Sequence, residues 1–421
     1  ANFGEQDPNE HIIEINVRQS VFYPRKTNIN YITVKGFTLR HAATPWAPPT
    51  AEQIGLIGTH WSKGWIIEDN HISHSRCSGI TLGKYGDEFD NKSADLAIGY
   101  VETIKRAHEN GWSRDNIGSH IVRNNTISNC EQTGICGSLG AIFSEITDNH
   151  IYDIHLEQAF AGAEQAGIKL HAPLDTLIAR NHVHHCNRGI WMDWMTQGTR
   201  ITSNLCYENQ TEEDLFLEVN HGPCIVDNNI FLSNYALTQW SEGCAFIHNL
   251  FGGLIRGYAE RSRETPFHYE HSTEIEGIIC IIGGDDHFIN NVVIDQENFE
   301  KFTASTREAR VIDSLDNENL DTYPINENTV TGNAFINIKP ELIENGSNRS
   351  LSLSFEANDV NCQLIQTEDL KPTLVSNKRY KDYTGKSIVF DTDFNGSKRS
   401  DEQVIAGPLN GYDHTIELKL A

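Results

Sequence analysis

Two carboxylates stand out by their setting. Asp193 lies in the short apolar run GIWMDW (189–194) and Glu218 in DLFLEV (214–219), strand-length stretches that can be laid on one another. If they are successive rungs of one stack, the acids are neighbours, because equivalent positions on adjacent parallel strands lie about 4.8 Å apart. That spacing suits double displacement at the anomeric carbon of a sugar. Retaining glycosidases hold their two carboxyl groups about 5–5.5 Å apart, whereas inverting ones need about 6.5–9.5 Å to admit a water.

Such chemistry needs one carboxylate ionised for attack and the other protonated to release the leaving oxygen. Lys169 and His171, in GIKLHA (167–172), fall one rung before Asp193, where positive charge or hydrogen bonding favours the ionised form. Glu218 lies by Phe216 and Val219, where desolvation and the Asp193 charge raise its pKa. Asp193 is therefore expected as nucleophile and Glu218 as acid/base. The two acids are 25 residues apart and the coil markers described next 23, so two extra residues are expected in the turn ENQTEE (208–213).

The element that must position these side chains is a repeat. A polar residue, Asn, any residue and an apolar residue recur at Asn70, Asn125, Asn149, Asn181, Asn204, Asn228, Asn249, Asn290 and Asn333, with VKGF at Gly36 as an earlier instance. Intervals of 24, 23, 24 and 21 residues give the basal period, and longer gaps read as one period plus a loop. Short strands, Asn at a fixed turn and no helical periodicity predict an all-β, right-handed parallel β-helix with loop and helix insertions. Asn tolerates the left-handed backbone of a tight corner, and stacked amides can bond along the axis. A leucine-rich repeat would need a Leu spacing that is absent.

Aligning GITLGK (79–84), GICGSL (134–139), GIKLHA, GIWMDW and DLFLEV places Ile80/Leu82, Ile135/Gly137, Ile168/Leu170, Ile190/Met192 and Leu215/Leu217 inward, since strand side chains alternate faces. The third and fifth positions then point to solvent: Thr81, Cys136, Lys169, Trp191, Phe216 and Gly83, Ser138, His171, Asp193, Glu218. A plain solvated flank or ion-pair ladder does not ordinarily mix Trp and Phe with Lys, His, Asp and Glu in this way. Ala97, Tyr100, Val101, Ile104 and Ala107 predict a helix inserted between Asn70 and Asn125, capped by Ser93 or Asp95 and ended by Gly111. The Pro-rich HAATPWAPPTAEQ is expected as a rim loop, its Trp46 a sugar platform or a residue packed on its own coil. HLEQAFAGAEQ (155–165) is expected to lengthen the coil before the acidic pair. Residues 1–345 are assigned to the β-helix and 346–421 to a C-terminal β cap or appendage.

With 33 Lys+Arg against 58 Asp+Glu, the net charge of -25 opposes binding to nucleic acid or anionic lipid. The 9 cysteines are odd in number, form no CxxC pair and read as buried thiols. No apolar run reaches the roughly 20 residues of a membrane span. No signal peptide is visible, so a cytoplasmic location is expected, although the chain opens on Ala1, already inside strand-like sequence, which leads one to expect sequence upstream. No cofactor and no metal are expected, and self-association into a homo-oligomer is compatible with the sequence.

The ordered set THWSKGWIIEDN (59–70), CEQTGICGSLGAIFSEITDN (130–149), EQAGIKLHAP (164–173), RGIWMDW (188–194) and DLFLEVNHGPCIVDNN (214–229) resembles the β-xylosidases of glycoside hydrolase family 120. The resemblance covers roughly residues 30–300 well and the tail loosely. It implies a right-handed parallel β-helix and retaining exo-hydrolysis of xylo-oligosaccharides, with Asp193 matching the family's nucleophile and Glu218 its acid/base. It begins after the family's N-terminal part, which carries early coils and an inserted β-sandwich, lends residues to the substrate pocket and is not in this sequence.

Candidate sugar contacts around the pair are Glu164, Lys169, His171, Trp191, Trp194, Asn220 and His221, with Glu131 and Gln132 two rungs further away. Two other functions compete. A β-helical polysaccharide lyase would need a calcium-binding acid cluster and a Lys or Arg base, of which only Lys169 is present. A non-catalytic carbohydrate-binding solenoid would use Trp191 and Trp194 as platforms. The sugar, whether xylose, arabinose or galactose, is left open.

Overall fold

The computed structural model describes residues 4, 6–90, 92, 97–162, 164–209, 213–310, 322–345, 350–358, 360–400, 403–411 and 416–418. Three parallel sheets run side by side, two of 10 strands and one of 8, and each strand pairs with its counterparts one coil earlier and later. One central coil reads Leu177–Ala179, His182–Cys186 and Ile190–Asp193, a strand in each sheet. This is the expected parallel β-helix.

The register is also as expected. Ile168 pairs with Ile190 and Leu170 with Met192, then Ile190 with Leu215 and Met192 with Leu217. These side chains form the axial core together with Ile135, Leu82 and Ile80. Each fully buried Ile or Leu contributes about 1.5–3 kcal/mol, so the coil sequence is held in one frame. A slip of one residue would exchange Lys169, Trp191 and Asp193 with this core.

An asparagine ladder lies along one corner. Asn204 Oδ1 accepts from the backbone N–H of Asn181 at 2.9 Å and from its Nδ2 at 3.0 Å, while Asn204 Nδ2 donates to Ile178 O and to Asn229 Oδ1. The same pattern links Asn70, Asn125 and Asn149, and continues through Asn249 and Asn291 to Asn333. Two assignments are corrected: the ladder uses Asn229 and Asn291, not Asn228 and Asn290. The corner's left-handed backbone likewise belongs to the residue before the ladder amide, at Asp69, Asn124, Asp148, Arg180, Ser203, Asn228, His248 and Asn290. The tight turn comes first, so that the next side chain points inward and bonds along the axis. Gly36 fits as such a corner, since the following Phe37 N–H donates to Asn70 Oδ1.

The inserted helix α1 spans Ala97–Glu109, and Gly111 follows at φ +80°, a conformation glycine adopts without penalty. Ser93 and Asp95 lie outside the described residues, as do residues 210–212 of the ENQTEE turn. A second helix, α2 (Gln296–Thr303), was not anticipated. Asp295 caps it by accepting from Asn298 N, and Phe299 and Phe302 enter the axial core.

Beyond Asn333, the strands Glu341–Asn345, Ser350–Ser354 and Ile416–Leu418 form an antiparallel sheet. Leu370, Tyr380, Ile388 and Phe390 then pack over Ile225, Ala245, Ile247 and Ile289 on the solenoid flank. The cysteines are free thiols, buried as expected except for the half-buried Cys280. Among the described residues no helix is long and apolar enough to cross a membrane.

Candidate active site

The 8-stranded sheet carries the acidic pair. Its register sets Lys169 beside Trp191 and Trp191 beside Phe216, and in the neighbouring column His171 beside Asp193 and Glu218 beside Trp240. The pairing of Met192 with Leu217 brings the next residues, Asp193 and Glu218, to equivalent positions on consecutive rungs. These positions point away from the axis, yet they do not face solvent: Lys169 is 0% exposed, Asp193 4% and Glu218 6%.

Three insertions cover this outward face. Helix α1 lays Tyr100 against His171 and edge-on to Trp194. The Pro-rich loop lies over the rung Thr133–Ser138, where Ser138 Oγ donates to Pro49 O and Ser138 N to Gln53 Oε1. A hairpin of Glu264–His268 and Ile275–Cys280 folds back over the turns that follow the acids. It is fastened by a reciprocal pair of bonds between Gln197 and the His268 backbone, and by His221. The residue just before the hairpin, Arg263, is thereby delivered to Glu218.

The two acids have opposite surroundings. Asp193 Oδ2 accepts from Lys169 Nζ at 2.6 Å, its Oδ1 accepts from the Trp194 backbone N–H at 2.7 Å, and His171 Nε2 is 3.2 Å from Oδ2. Burial alone would raise its pKa, but the charges of His171, Lys169 and Arg263 outweigh it and hold Asp193 below the ordinary carboxylate range. Glu218 is pushed up, first by burial and then by the Asp193 charge, against the pull of Arg263 and Lys169. Arg263 donates to Glu218 Oε1 at 2.6 Å and Trp191 Nε1 to Oε2 at 2.9 Å, which fixes the plane of that carboxyl. One acid is poised as an anion and its neighbour as a proton carrier, the asymmetry that double displacement needs.

Of the expected sugar contacts, Lys169, His171, Glu164 and Trp194 gather at Asp193. Lys169 Nζ is 2.7 Å from His171 Nε2 and 3.7 Å from Glu164 Oε1, and Glu164 Oε1 is 3.0 Å from His171 Nε2. Trp191 is not an open platform. Lys169 Nζ sits 3.7 Å from its ring centroid on one side and Phe216 stacks at 5.3 Å on the next rung, so its contribution is the N–H on Glu218.

Asn220 and His221 serve the scaffold. Asn220 accepts from Thr196 N and bonds Ser241 Oγ, tying the turn after Glu218 to its neighbours. His221 Nδ1 is 2.6 Å from Glu242, and its Nε2 lies 3.1 and 3.0 Å from the carbonyls of Thr265 and Ile279. Glu131 and Gln132 hold loops, the first accepting from Glu157 N and the second donating to Ala47 O. Half-buried Trp46 lies beside Gly162 in the 155–165 insertion.

Arg263 and Tyr100 were missed. Both sit on insertions rather than coils, and no periodicity assigns an insertion to a rung.

A model described as the right handed beta helix region matches residues 54–251. The solved structure of XylC in complex with xylose superimposes with a TM-score of 0.89 and 38% identity, over 100% of this chain and 71% of that one. The chain belongs to glycoside hydrolase family 120. Membership makes it a glycosidase, on the right-handed parallel β-helix and in the family that the GIWMDW and DLFLEVNHG motifs led us to expect. Pectate lyase Pel9A matches at TM-score 0.38 and 8% identity over 75% of this chain and 69% of that one. The family 6 alginate lyase AlyGC matches at 0.27 and 8%, over 78% and 52%.

Proposed function

We propose that this family 120 chain removes β-linked xylose from the non-reducing end of xylo-oligosaccharides with retention of configuration. The observation that carries the reading is the acidic pair itself: Asp193 and Glu218 at equivalent positions on adjacent rungs, one held ionised and the other pushed toward its protonated form. The complex of XylC with xylose supports the sugar. Burial of both acids supports attack at a chain end in a pocket rather than along an open groove.

In the first step the Glu218 carboxyl gives its proton to the glycosidic oxygen while an Asp193 oxygen bonds to the anomeric carbon, releasing the leaving sugar and forming a glycosyl ester. Glu218, now a carboxylate, takes a proton from water, which attacks the same carbon and frees Asp193. Lys169, His171 and the Trp194 N–H stabilise the Asp193 anion before attack and when it is released. Arg263 and Trp191 keep Glu218 aimed at the oxygen it must protonate.

The test is kinetic and stereochemical. Asp193→Ala is expected to abolish hydrolysis of 4-nitrophenyl β-xyloside, a loss on the order of 10⁴-fold or more. Glu218→Ala is expected to stall at the glycosyl ester and to regain turnover with azide, yielding a β-azide. NMR of the first-formed sugar should show the β-anomer. Wild-type-like turnover in either variant, or an α-anomer formed first, would sink the proposal.

A further inference from the structure

A cluster of imidazoles lies on a different sheet from the acids. His150 in the strand His150–Ile154 pairs in register with His182 in His182–Cys186, and their rings stack at 4.6 Å. His184 follows His182 by two residues and so shares its outward face. The rings converge: His150 Nε2 is 2.8 Å from His184 Nε2, and one ring nitrogen from each of the three histidines lies within 4.8 Å of the others. His182 is buried, and His150 and His184 are half-buried, so the cluster is sheltered without being sealed.

We propose that His150, His182 and His184 bind a divalent late transition metal, of the Zn²⁺, Co²⁺ or Ni²⁺ class, that staples two consecutive coils. Metal–nitrogen bonds of about 2.0–2.1 Å in a tetrahedral site set ligand nitrogens about 3.3 Å apart. His150 and His184 are 2.8 Å apart at Nε2 and all three ligand nitrogens lie within 4.8 Å of one another, so turning the stacked rings about their side-chain bonds brings the set to that spacing. An all-imidazole set suits these ions and not Ca²⁺ or Mg²⁺, which want oxygen.

A second feature points the same way. A ligating histidine ordinarily donates its other ring N–H to an acceptor that fixes its tautomer and leads to a carboxylate. His184 Nδ1 lies 2.6 Å from His185 Nδ1, and His185 Nε2 lies 3.0 Å from Glu208 Oε2. With His184 binding through Nε2, its Nδ1–H donates to His185, whose Nε2–H donates to Glu208. Every proton in the relay is then placed. Tyr207 Oη, 3.1 Å from His182 Nε2, holds the third ring, and the Tyr207 ring stacks on His184 at 4.9 Å.

The experiment uses tag-free protein stripped with chelator and titrated with Co²⁺, then Zn²⁺. One equivalent of Co²⁺ should give the visible d–d bands of a nitrogen-rich low-coordinate site. Zn²⁺ should bleach them, and calorimetry should show one-site uptake with a raised melting temperature. His184→Gln and His150→Ala should lose the bands and at least a hundredfold in Zn²⁺ affinity, and His185→Phe roughly tenfold or more. Hydrolytic activity without metal should be unchanged in all three. Failure of the wild type to take up Co²⁺ or Zn²⁺ stoichiometrically at micromolar concentration overturns the proposal, whether or not a variant folds. So does an unaltered spectrum and affinity in both ligand variants.

Discussion

The Glu218 carboxyl is held between two donors of different kinds, and they can be separated by substitution. Trp191→Phe keeps the stacking on Phe216 and under Lys169 while deleting the N–H on Oε2. Hydrogen bonds to charged groups are worth about 1.5–3 kcal/mol, so kcat should fall roughly 10–100-fold with KM little changed. A large rise in KM with kcat intact would instead mark the ring as a sugar platform. Arg263→Met removes a positive charge that depresses both acids, so both pKa values must rise. Asp193 must be ionised and Glu218 protonated, and both limbs of the pH profile of kcat/KM should therefore move to higher pH. A stationary profile would separate Arg263 from the titrating pair. The acids and their cationic neighbours on coils were legible in the sequence because strand alternation and a fixed period assign each side chain a face and a rung. The role of Trp191 was not, since which atom of an outward indole is used depends on what covers its faces. Asn220 and His221 were not legible for the same reason: polar residues just past an acid look alike in sequence whether or not they also bond the scaffold, as these two do.

At the scale of the element, the ladder predicts that two adjacent asparagines behave differently. Asn125 Oδ1 accepts from the backbone N–H and Nδ2 of Asn70, and its own Nδ2 donates to Ile67 O and Asn149 Oδ1. Asn125→Ala strands a buried N–H and a carbonyl, at about 1–3 kcal/mol for each group left unsatisfied, and should lower the urea midpoint clearly. Exposed Asn124 has φ +54° and supplies only the corner, so Asn124→Gly should change stability by no more than about 0.5 kcal/mol. Equal losses in the two variants would refute this division of labour. The same division explains what the repeat revealed and what it hid. The period and strand register could be read directly, but DNNI and INNV each offer two asparagines, one fitted to the left-handed corner and one to the ladder. Helix α2 escaped notice because its 8 residues are too few to show a period beside the strands.

For the whole molecule, buried titrating groups of two kinds set the dependence of stability on pH. Burial pushes Asp214 and Asp285 up to about 6 and Asp286 up to about 7. Between about pH 4 and those values the native state binds more protons than the unfolded chain, so their contribution is full below about 4 and is lost as pH rises through 6–7. Burial pulls His120 down to about 3 and His268 to about 4, with His248 also well below its ordinary value. The unfolded chain then binds the extra protons below about 6.5, and each such histidine costs about 1.4 kcal/mol per pH unit as pH falls. From about pH 6 down to 4 these six groups nearly cancel, because three aspartates gain what three histidines lose; His184, pulled down to about 3 by burial, adds to the histidine side, and Glu218, Asp175 and Glu131, pushed up by burial, add to the carboxylate side. Above pH 6 the unfolded chain's histidines shed their last protons while the buried aspartates ionise, and these opposite effects again nearly offset, so melting temperature should stay nearly level from about pH 4 to 8 and drop steeply below about 4. There the aspartates have no more to give, and Glu68 and Asp87, held low in the native state, lose their ion pairs as they protonate. The decisive comparison is Asp286→Asn, in which Gln239 Nε2 and Cys244 N can still donate to the side-chain oxygen. Whatever its baseline stability, the variant should gain stability relative to the wild type as pH rises from about 5 to 8. An identical pH dependence in the two proteins would remove Asp286 from that balance.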